Sequence, residues 1–150
     1  MNTLDQLREH WRRLDDCLNM QPASALEIQG FEERYQVKLP ALLREYFLTL
    51  NGTKVGAFGT DDGKYNGFWH LDQIRTLAEE FPDTPLPGAG HLFVFADCLL
   101  WSWAWAIHLA NAQPAPDPVF IISQGTRQIA GSFDEFLRRY LAGDEGVLFP

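Results

Sequence analysis

From position 101 to 109 the chain reads Trp-Ser-Trp-Ala-Trp-Ala-Ile-His-Leu, with bulky residues at every odd position and small or polar ones between. A helix would scatter Trp101, Trp103 and Trp105 around its circumference, whereas a strand gathers them on one face. Each ring can bury ~150–250 Å², roughly 4–6 kcal/mol of apolar transfer. Domains are stable by only ~5–15 kcal/mol, so a chain of this size can hardly leave three such rings in water. The alternation therefore predicts a strand with all three indoles as core. The small side, Ser102, Ala104 and Ala106, leaves a trough that either a helix fills or a partner occupies.

The surroundings fit an α+β fold. Leu4, Leu7, Trp11, Leu14 and Leu18 form one stripe and predict a helix over 2–19. Pro22 suits the first turn of a second helix carrying Ile28, Phe31 and Tyr35. Pro40 opens a third with Leu42, Leu43, Tyr46, Phe47 and Leu50, closed by Asn51-Gly52. Five glycines between 52 and 67 mark short strands around a turn. Phe68 to Leu71 reads as a brief strand, and Asp72 as the cap of a mid-chain helix with Ile74, Leu77, Ala78 and Phe81 inward. The apolar runs 91–96 and 119–122 predict strands covered on both faces, and 127–130 a short return strand. Ser132 and Glu135 have capping-box spacing ahead of a final helix. The whole predicts one α+β domain over 1–150, with a mainly antiparallel sheet packed by N-terminal helices, a mid-chain helix and a C-terminal helix.

Composition narrows the function. The 150 residues carry 12 Lys and Arg against 20 Asp and Glu, for a formal net charge of −8. An acidic surface grips phosphate backbones poorly and so argues against nucleic acid, while it suits a basic protein partner. Cys17 and Cys98 belong to no paired motif and read as small buried residues of a reducing compartment. No signal-type segment and no long apolar run is present, so the expected location is the cytoplasm and no membrane partner is expected.

Catalytic signatures are sparse. The four histidines lack metal-ligand spacing, so neither metal nor cofactor is expected. The glycine-rich stretch lacks the spacing of a phosphate loop, and Asp61-Asp62-Gly63 lacks the ligand pattern of a calcium loop. One acid–base set is conceivable: His91, His108 and Asp97, meeting on neighbouring strands as a small hydrolase. It requires the three side chains to converge.

Ile28-x-x-Phe31-Glu32, Leu39-Pro40, Tyr46-Phe47 and Leu50-Asn51-Gly52 resemble the N-terminal signature of the SUKH superfamily, in the branch of fungal cell-wall-assembly regulators. The strand at Val119-Phe120 and the run Ser132-Phe133-x-x-Phe136-Leu137-x-x-Tyr140-Leu141 resemble its closing strand and helix, and Leu92 to Asp97 its central strand. The likeness covers residues 24–142. Where that family often has a polar turn after the central strand, this chain has Asp97-Cys98-Leu99-Leu100. The resemblance implies a non-catalytic binding module: in bacteria an immunity protein that neutralises a cognate toxin, often a nuclease, and in fungi a scaffold of wall-synthesis signalling. Asp61, Asp62, Tyr65 and Trp69 combine charge and aromatic anchors beside flexible glycines and are the expected partner-facing residues. The apolar tail Val147 to Pro150 either docks on the body or adds an exposed patch.

Overall fold

The computed structural model describes residues 1–14, 17–56, 59, 60, 62, 65–112 and 114–150; of 55, 56, 59 and 60 it describes the backbone alone. Helices α1 (Thr3–Arg13), α2 (Ala25–Tyr35) and α3 (Ala41–Thr49) come first. A small hairpin follows, β1 (Val55–Gly56) with β2 (Gly59–Thr60), then β3 (Asn66–Phe68), β4 (Arg75–Thr76) and the short helix α4 (Leu77–Glu80). Strands β5 (Leu92–Cys98), β6 (Trp103–His108), β7 (Val119–Ile122) and β8 (Thr126–Ala130) lead into α5 (Phe133–Leu141) and α6 (Glu145–Leu148). The main sheet runs β3-β5-β6-β7-β8, and β4 extends the β3 edge by pairing with β5. Every pairing is antiparallel. This is the α+β arrangement expected from the sequence.

Most of the helices begin where a side chain can cap them; α3, which follows Pro40, has no side-chain cap. Asn2 accepts the Asp5 amide at α1, and Ser24 and Glu27 form a reciprocal capping box at α2. That cap moves the start of α2 to Ala25, three residues past Pro22. α1 is shorter than the 2–19 stripe suggests. Leu14 caps it, and Leu18 leaves the helix to bridge Thr53, keeping its place beside the core without helical geometry. At the end of α3, Asn51 and Gly52 are both left-handed, and a Cβ on Gly52 would lie 2.5 Å from the Phe68 carbonyl oxygen, so the chain needs glycine there.

The mid-chain helix differs most from expectation. Asp72 lies in a 3-10 turn over Leu71–Gln73, and the strand of this region is Asn66–Phe68 rather than 68–71. Helix α4 starts only at Leu77, capped by Thr76 with Glu79 returning the bond. At α5, Ser132 accepts the Glu135 amide as expected, but the Glu135 carboxylate turns to the Gly131 amide instead of closing a box.

The sheet has two unequal faces. On one, Phe93, Phe95, Trp105, Ile107 and Ile121 meet Leu7, Trp11, Phe47, Phe133 and Phe136 from the helices in the main core. On the other, Val94, Ala104, Ala106 and Ile122 are covered by Leu77 and Ala89. The trough along the small side of β6 is thus filled: Ala104 and Ala106 are wholly buried.

Two of the three tryptophans take the expected side. Trp105 is fully buried and Trp103 half-buried, both in the main core. Their indole N–H groups donate to the carbonyls of Val147 (2.7 Å) and Leu148 (3.0 Å), which docks the C-terminal tail on the sheet. Trp101 departs from the pattern. The strand begins at Trp103, and the turn before it swings Trp101 to the opposite face, against Trp69 and Phe81.

Candidate functional site: the tip of the central hairpin

The turn between β5 and β6 holds Leu99, Leu100 and Trp101 at φ +49°, +52° and +71°. Three consecutive left-handed residues, none of them glycine, cost ~1–2 kcal/mol each through contact of Cβ with the following carbonyl. Local bonds fix them there. The Ser102 amide donates to Cys98 O (2.9 Å) and the Ser102 hydroxyl to Leu99 O (3.0 Å). The half-buried Asp97 carboxylate accepts the Trp101 amide (2.9 Å) through one oxygen and the Trp69 indole N–H (2.8 Å) through the other. Tyr65, itself left-handed at φ +70°, accepts the Leu99 amide on its carbonyl (3.0 Å).

This geometry lifts apolar side chains into water. Leu100 is 88% exposed, Tyr65 63% and Leu99 48%. Beside them Trp101 and Phe81 meet edge to face at 5.3 Å and border an open hollow of about 290 Å³ that reaches Leu86 and Ile122. Strained backbone that presents apolar groups marks a functional surface more often than a structural one, because folding alone gives no reason to retain it.

The four expected site residues separate here. Tyr65 lies at the tip and exposed. Trp69 is half-buried behind it, its ring 5.9 Å from Trp101. Asp61 lies outside the described residues. Asp62 is only 1% exposed: its carboxylate accepts the Tyr140 hydroxyl and the backbone and side-chain N–H groups of Asn66. Tyr140 in turn accepts the Trp11 indole N–H. Burial, together with the adjacent Asp62 charge, pushes the Tyr140 hydroxyl well above the usual tyrosine range. Asp62 is therefore an internal tie between the β2–β3 connection and α5 and turns no charge toward a partner. Leu99 and Leu100, which residue type alone does not single out, take the exposed place instead.

The acid–base set does not assemble. His91 and His108 lie 5.9 Å apart, ring to ring, at one end of the β5–β6 pair, where Leu92 faces His108. Asp97 faces Ala104 at the other end, about 16 Å along the strand at ~3.3 Å per residue, with its carboxylate committed to the tip. Among the described residues no cluster of three or more metal-ligating side chains forms, and no helix is long and apolar enough to cross a membrane.

The model of the SMI1 / KNR4 family (SUKH-1) matches residues 22–139, close to the span the sequence signature covers. No curated protein matches the chain.

Proposed function

The chain belongs to the SMI1 / KNR4 family (SUKH-1), and from that premise we propose that it is an immunity protein that binds and neutralises a cognate toxin. Members of this family are commonly immunity proteins and generally non-catalytic. The observation that carries the reading is the left-handed tip, where Leu99, Leu100 and Tyr65 stand in water on a backbone that is costly to keep. A partner that buries these side chains would offset that cost, and rigid, pre-set anchors lose little entropy on docking. The net charge of −8 suits a basic partner such as a nuclease, by speeding encounter rather than by fixing the contact.

The test is co-expression with the product of the neighbouring reading frame, scored by growth rescue and by co-purification of the complex. Rescue with a stable complex is expected, together with its loss in Leu100→Asp and a marked weakening in Tyr65→Ala, both at exposed positions that leave the fold intact. Absence of rescue and of a complex overturns the immunity reading. Full rescue by the Leu100→Asp/Tyr65→Ala double variant moves the interface off the tip.

A further inference from the structure

Helix α2 contains a glycine that the fold does not explain. Gly30 sits in the middle of Ala25–Tyr35 with helical backbone, and a Cβ added there would meet nothing within 4 Å. Glycine is the poorest helix former after proline, and neither a close approach nor a positive φ calls for it here. Its missing side chain opens a groove of about 280 Å³ between α2 and the 71–74 turn, floored by Phe31, Leu71 and Ile74. A carboxylate stands on each bank, Glu27 on α2 and Asp72 on the turn, both exposed. Among the described residues neither takes part in an ion pair; Glu27 gives one oxygen to the Ser24 amide in the capping box, which leaves its other oxygen for a cation. The nearby cation on the rim, Arg34, lies 3.5 Å from Glu79 and covers the Tyr35 ring. The groove is linked to the tip through one ring contact. Asp72 and Ile74 line an adjoining hollow with Trp69, whose ring touches Trp101.

We propose that this groove seats one arginine side chain projecting from the partner, its stem along the apolar floor and its guanidinium between the two banks. The proposal deepens the toxin-binding reading and rests on it for the class of partner. An apolar floor with acidic banks selects a side chain with an apolar stem and a cationic head. Arginine fits better than lysine, because its planar fork is weakly hydrated and pairs with carboxylates and ring faces together. A side chain at position 30 would fill the space, which gives the glycine a reason.

The experiment uses the full ¹⁵N-labelled chain and no toxin, so its failure leaves the immunity reading standing. The probes are Nα-acetyl-arginine amide and its neutral citrulline counterpart, titrated while backbone amide shifts are followed. Shifts confined to Gly30, Phe31, Leu71, Asp72 and Ile74 are expected. The arginine probe should bind at least threefold tighter than citrulline at low salt, the difference shrinking as salt rises. Asp72→Asn should cut its affinity about threefold, the size expected of one exposed ion pair. Gly30→Leu, which raises helix propensity and so keeps the fold, should abolish binding. Equal binding of the two probes, shifts elsewhere, or unchanged binding in Gly30→Leu overturns the proposal.

Discussion

Replacing Leu100 by glycine should make the protein more stable, although a large side chain is lost. Leu100 is 88% exposed, so its removal forfeits little buried area. Its φ of +52° costs a leucine ~1–2 kcal/mol that glycine does not incur. Glycine's greater freedom in the unfolded chain takes back about 0.5–1 kcal/mol. The balance favours Leu100→Gly by about 0.5–1 kcal/mol. For a chain of this length that is a rise in Tm of about 1–4 °C. Leu100→Ala is the control, since alanine removes the same exposed side chain but keeps the Cβ and with it the strain; its stability should match the parent. Equilibrium urea unfolding followed by tryptophan fluorescence, with calorimetry beside it, separates the two variants. If Leu100→Gly proves less stable than Leu100→Ala, the turn carries no left-handed strain and the argument for a strained functional tip fails. If the tip is the partner-binding surface proposed above, both variants should also weaken the complex with that partner, because both remove the exposed anchor. A variant that is stabilised yet impaired in binding is the pattern of a residue kept for function.

Three further outcomes follow from the interior. Val147→Ala should cost about 2 kcal/mol in urea unfolding, since Val147 is wholly buried in the main core and two methyl groups are lost. Asp62→Ala should cost about 3 kcal/mol by the same measurement, because it strands the Tyr140 hydroxyl and the Asn66 N–H groups in the core. Stability should also fall as pH rises above 10. The folded state holds the Tyr140 proton, raised by burial and by the Asp62 charge, while the unfolded chain releases it near the ordinary value of 10.0. The folded state then binds more protons than the unfolded one, so stability present below pH 10 is lost above it. Tyr140→Phe should flatten part of that alkaline loss in pH-dependent unfolding curves.

The parts of the fold that were legible in the sequence are those where one periodicity ran unbroken. The run at 119–122 became β7 without change, and the Ile28, Phe31, Tyr35 face of α2 turned inward as its spacing implies. Trp105 obeyed the alternation because regular strand surrounds it. Trp101 did not, because alternation assumes extended backbone and leucine gives no signal of a left-handed turn. The one residue that could have hinted at it was Asp97, four positions before Trp101 and able to accept its amide. The start of α4 was legible and overlooked: Thr76 and Glu79 have the spacing of the capping box they form. Aspartate at 72 looked like the stronger cap only because the bend at Leu71–Gln73 leaves no sequence mark. At the site, Tyr65 and Trp69 could be singled out as aromatics among glycines. Asp62 misled, since charge argues for the surface until a buried tyrosine hydroxyl and two amide donors are found around it.

The tip depends on Asp97, and the chemistry of that carboxylate gives a sharper test than its deletion. Both of its oxygens accept, one from the Trp101 amide and one from the Trp69 indole. Asparagine has the same shape but only one acceptor oxygen; its NH₂ must face one of those two donors. Asp97→Asn should therefore cost ~1.5–3 kcal/mol, the range for a hydrogen bond to a charged group, although it is nearly isosteric. Removing one donor should relieve the conflict. In a Trp69→Phe background the amide can turn its NH₂ toward the vacated side and keep its oxygen on Trp101, so the cost of Asp97→Asn should fall by at least half. A double-mutant cycle read by urea unfolding measures this coupling. Additive costs would mean that the carboxylate does not join the two tryptophans. The tip would then be held by its backbone and the Ser102 hydroxyl, and Trp69 would have no lever on the position of Leu100.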